Sequence, residues 1–123
     1  MKWPLIAFLA CLPGIARAQQ APDIVGVRDN FIIAEIAAQK CNPGDRDKQN
    51  IHYRNFTIVS RKAMETIIAR APGADPEQLR KDDLAHIEKL QDATLNLIRS
   101  EGCKSDKVRV LLRMYRLHET IRF

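Results

Sequence analysis

The first eighteen residues decide the compartment in which everything after them has to fold. Lys2 supplies a positive start, Trp3 to Ile15 form an apolar run, and Ala16-Arg17-Ala18 place small residues at both positions a signal peptidase reads. Residues 1–18 are therefore read as a secretory signal peptide, cleaved before Gln19. The run is shorter than the roughly 20 apolar residues of a membrane span, and Pro4, Pro13 and Gly14 interrupt it. Phe8-Leu9-Ala10 ahead of Cys11 is a poor match to the pattern before a lipid-anchor cysteine, so the expected fate is cleavage and release. No second long apolar run follows, so the mature chain is expected to be periplasmic or secreted, without a transmembrane segment.

About 105 residues remain, enough for one domain with its own core. The net charge of +5 falls to +3 once Lys2 and Arg17 leave with the leader. That mild basicity makes no case for nucleic acid, which an exported protein rarely meets. Cys11 goes with the leader, and two cysteines stay, Cys41 and Cys103. Two thiols in an oxidising compartment pair, and no C-x-x-C motif suggests a redox role instead. In the chain-entropy account, closing so long a loop contributes about 4 kcal/mol.

The apolar pattern is helical throughout. Gln19 to Gly26 look like a loose lead-in, broken by Pro22 and Gly26, and residues 19–28 are expected to be flexible, ahead of one helical domain over 29–123. From Asp29 a first helix begins. Phe31, Ile32, Ile33, Ala34, Ile36, Ala37 and Ala38 leave it apolar on nearly all sides, the mark of a buried helix, and Asn42-Pro43-Gly44-Asp45 ends it.

The second helix is expected over 47–71, with Phe56, Val59, Ala63 and Ile67 on one face and Ile51, Ile58 and Ile68 suggesting a smaller second contact surface. Asp75-Pro76-Glu77-Gln78 is the clearest start signal in the chain: Asp75 to cap, Pro76 where no N–H is needed, Gln78 to reach back. That third helix runs to Ser100, with Leu79, Ile87, Leu90, Thr94, Leu97 and Ile98 inward and Gly102 as terminator. Ser105 or Asp106 caps a fourth over 107–121, with Val108, Leu111, Leu112, Met114, Tyr115 and Ile121 inward. Four helices with short turns and no strand signal predict a small all-α bundle with one long-range disulfide.

Three sets of residues could carry function. His52, His86 and His118 lean toward the interior from three different helices. They suit a pH sensor or, if they meet, a metal site; the bland reading is histidines at the core margin. Asp83 falls on the stripe of Leu79 and Ile87, one turn before His86. It resembles a general base with its orienting carboxylate, but its place near a helix start also suits capping or a surface pair. Arg109, Arg113 and Arg116 share one face of the last helix, with Lys104 and Lys107 near its start; they suit an acidic protein, anionic lipid or phosphate, or simply a solvated face. The sequon Asn55-Phe56-Thr57 falls within a helix, and Asn42, Asp45 and Asp47 are a fragment of a calcium loop without its full spacing.

No catalytic or cofactor motif appears, so no catalytic residue, cofactor or metal is assigned. The leading expectation is a non-enzymatic exported binding protein acting on a protein partner, of inhibitor or immunity type, through an exposed helix face. The format of export signal, few helices and one long-range disulfide is similar to that of the small acid-stress periplasmic chaperones of the HdeA type. The likeness is one of format and carries no residue over; an acid-responsive chaperone is one alternative, in which His52, His86 and His118 charge below about pH 6 and loosen the interior. A small enzyme or metal carrier built on the same three histidines is the remaining alternative.

Overall fold

The computed structural model describes residues 23–123. The leader, and residues 19–22 of the expected lead-in, lie outside them. The described chain forms four helices: α1 Ile24–Cys41, α2 Arg46–Arg70, α3 Pro76–Glu101 and α4 Asp106–His118. Short links at 42–45, 71–75 and 102–105 join them, and no strand occurs among the described residues. None of the helices is long and apolar enough to cross a membrane.

α1 is the hub. It packs against each of the other three far more extensively than they pack against one another. Phe31, Ala34, Ala37 and Ala38 have no solvent exposure and Ile32 almost none, as expected of a helix apolar on nearly every side. The alanines let neighbouring helices approach closely. Ala34 and Ala38 meet Tyr115, and Ala37 meets Val108 and Leu111, so α4 lies antiparallel along α1. Leu97 and Ile98 of α3 close the same cluster.

The helix ends mostly follow the caps. Asp45 accepts from the Lys48 amide at 2.9 Å, and Ser105 accepts from Val108 at 3.3 Å. Asp75 caps α3 through the Glu77 amide at 3.2 Å, but Gln78 does not complete a capping box; its amide donates to Asp82 at 2.9 Å instead. Gly102 ends α3 at φ 80°, a conformation that favours glycine.

Two boundaries differ from expectation. α1 starts at Ile24 rather than Asp29, so residues 24–28 are helix and not lead-in. Asp23 caps it through the Val25 amide at 3.2 Å, which overrides the weak breaker Gly26. α4 stops at His118, three residues short. Asn55 of α2 donates to the carbonyls of His118 at 2.9 Å and Ile121 at 3.2 Å, so the chain turns where α2 supplies partners for its last carbonyls.

The cysteines pair. Cys41, the last residue of α1, bonds Cys103 in the α3–α4 link, with Cα atoms 5.6 Å apart across 62 residues of sequence. The bridge ties the end of the hub to the start of α4.

Candidate functional site

The three residue sets separate into three places. The first is a charged network at the start of α1. Arg28, 2% exposed, grips Asp83 of α3 in a two-pronged ion pair, with Nη1 to Oδ2 at 2.6 Å and Nη2 to Oδ1 at 2.7 Å. Its Nε and Nη2 also donate to Asp29, at 3.2 and 3.0 Å. Burial works against the Arg28 charge, but the bonds to Asp83 and Asp29 outweigh it and raise its pKa. Asp29 in turn accepts from His86 Nε2 at 2.7 Å.

This arrangement corrects two expectations. Asp83 neither orients His86 nor sits as a surface cap; both its oxygens serve a buried guanidinium. His86 does not lean inward; its side chain is 49% exposed. An Asp29–His86 pair could orient an imidazole, but among the described residues no serine, threonine or cysteine bonds His86, and none of the depressions described contains it. The chemistry here is that of a structural clamp between α1 and α3.

The second place is the core between α1, α2 and α4. His52 and His118 are 1% and 8% exposed. His118 stacks on Phe31 with ring centroids 3.8 Å apart, and His52 stacks on Tyr115 at 4.2 Å. The two imidazoles stand 5.6 Å apart. His52 Nε2 and His118 Nδ1 are buried and have no hydrogen-bond partner among the described residues. Burial pushes both imidazoles down to about 4, and the nearby His118 adds to the effect at His52. Burial, with the charges of Glu119 and Glu35, raises the Tyr115 hydroxyl, so that ring also stays neutral.

The three histidines therefore do not form one site. Two meet inside a packed aromatic cluster and the third lies on the surface. Among the described residues, no group of three or more histidine, cysteine, aspartate or glutamate side chains is placed to hold a metal ion.

The third place is the outer face of α4. Arg109, Arg113 and Arg116 are all exposed, and with Lys104, Val110, Leu112 and the lone carboxylate Asp106 they line an open depression of about 800 Å3. None of these cations forms an ion pair with another described residue; Lys107 reaches Glu101 at 3.7 Å instead. Val110 and Leu117 stand among the arginines, 45% and 63% exposed. The sequence had placed the arginines on one face; the two exposed apolar side chains beside them went unread. Their signal was the i, i+7 spacing that runs opposite the inward stripe.

No protein-family model, no curated protein and no solved structure matches this chain.

Proposed function

We propose that this is a non-enzymatic, exported helical binding protein that acts on a protein partner, of inhibitor or immunity type, through the outer face of α4. The observation that carries the reading is the row of Arg109, Arg113 and Arg116: three exposed guanidinium groups without partners among the described residues, beside an open depression. A guanidinium offers a rigid fork to a carboxylate or phosphate, and several in a row steer an anionic partner from a distance. The leader-like start and the Cys41–Cys103 bridge support a periplasmic or secreted site of action.

Capture from the native periplasm on tagged mature protein, wild type beside Arg113→Glu, tests this. A partner held by the wild type and lost from the variant supports the reading. Equal capture by both moves the contact off α4 and ends it.

A second reading draws on the His52–His118 core. Two imidazoles kept neutral by burial make the fold sensitive to acid, which suits a chaperone that opens at low pH. Aggregation of an acid-labile client protein at pH 4, with and without this protein, tests it. Unchanged aggregation would sink the chaperone role.

A further inference from the structure

Along the exposed side of α4, Val110 and Leu117 are one heptad apart, and Arg113 lies between them. Arg109, Arg113 and Arg116 all lie along one side of that line. The pattern is a short apolar line with a row of cations along one border, turned away from Val108, Leu111 and Tyr115, which face α1. Seven residues of helix advance about 10.5 Å, so the two apolar side chains repeat at that distance. A ligand that matches both must offer apolar groups at the same repeat, with anions along the adjoining flank. A second helix does this with apolar residues at i and i+7 and carboxylates beside them, the geometry of a coiled-coil seam.

We infer that the segment recognised by α4 is an acidic amphipathic helix of a partner protein. The inference rests on the binding reading above and adds the chemistry of the partner. Charge complementarity selects this occupant over others. Residues 1–22 of the chain contain no aspartate or glutamate, so they cannot neutralise the arginines. A second copy carries the same net positive charge, which opposes self-association. A flat anionic bilayer meets the cations but leaves the depression beside them unfilled.

The test uses a fluorescent peptide helix with two leucines one heptad apart and glutamates flanking them. The controls are a scrambled peptide of the same composition and vesicles of phosphatidylglycerol. The patterned peptide is expected to bind at least about tenfold tighter than the scrambled one, a difference of about 1.4 kcal/mol. Arg113→Glu should weaken it at least about tenfold and flatten the loss of affinity as salt shortens the screening length from about 30 Å to about 3 Å. Val110→Lys keeps the positive charge and removes the apolar contact; it should weaken binding severalfold while the salt dependence persists.

Equal binding of patterned and scrambled peptides overturns the inference, because charge alone would then explain it. So does tighter binding to the vesicles, or a dimer of the free protein in sedimentation that Arg113→Glu dissolves. In those cases, partner capture from the periplasm that still depends on Arg113 leaves the binding reading standing. Capture indifferent to Arg113 removes both.

Discussion

Acidification from neutral pH to pH 5 should cost this fold several kcal/mol through two side chains. His52 and His118 titrate near 4 in the folded protein, against about 6.5 in an unfolded chain. Above 6.5 both states hold the rings neutral and the fold keeps its full stability. Between 6.5 and 4 the unfolded chain binds protons that the folded core refuses, so stability falls as pH falls. Below 4 both states are charged and the loss levels off.

The linkage relation gives about 2 kcal/mol per ring by pH 5, or about 4 kcal/mol for both, a large part of the 5–15 kcal/mol typical of a domain. At a urea slope of about 1.5 kcal/mol per molar, the midpoint should drop by roughly 2 to 3 M. The assay is urea unfolding followed by circular dichroism at pH 7.5 and pH 5, for wild type, His118→Gln and His52→Gln. Each variant carries its own offset in stability. The difference between its two pH values should nevertheless shrink by about 2 kcal/mol. An undiminished difference in both variants would refute the reasoning and place the acid sensitivity elsewhere.

Three other outcomes follow from named contacts. Asp83→Ala leaves the buried Arg28 with Asp29 as its remaining carboxylate and should cost about 3 kcal/mol, whereas Arg28→Met with Asp83→Leu should recover most of it; urea midpoints of the three proteins check this. Reduction of Cys41–Cys103 should lower stability by up to about 4 kcal/mol, read from unfolding with and without reductant. Asn55→Ala leaves the carbonyls of His118 and Ile121 without their donor and should cost about 1–3 kcal/mol, with amide exchange rising first at the end of α4.

Local chemistry was enough to make four helices legible. The run from Phe31 to Ala38 could bury itself only by being surrounded, and α1 is surrounded. Asp75-Pro76 marked the start of α3, and Gly102 its end, because caps act within one turn of chain. An even cysteine pair behind a leader-like start pointed to the bridge. Where the reading failed, the partner lay far away in sequence. Asp83 and Arg28 are 55 positions apart, and Asn55 and His118 are 63 apart. A stripe pattern reports only that a position faces inward; it does not report what meets it there. His86 sat at the edge of its stripe, where a small rotation of α3 decides between core and solvent, and Asp29 holds it at the surface. The pattern of apolar residues and caps, being local, was thus sufficient for the helices and the hub. Which charges pair, which histidines are buried together and which face of α4 is left open depended on helix packing, because contacts between separate helices exist only once the chain has folded.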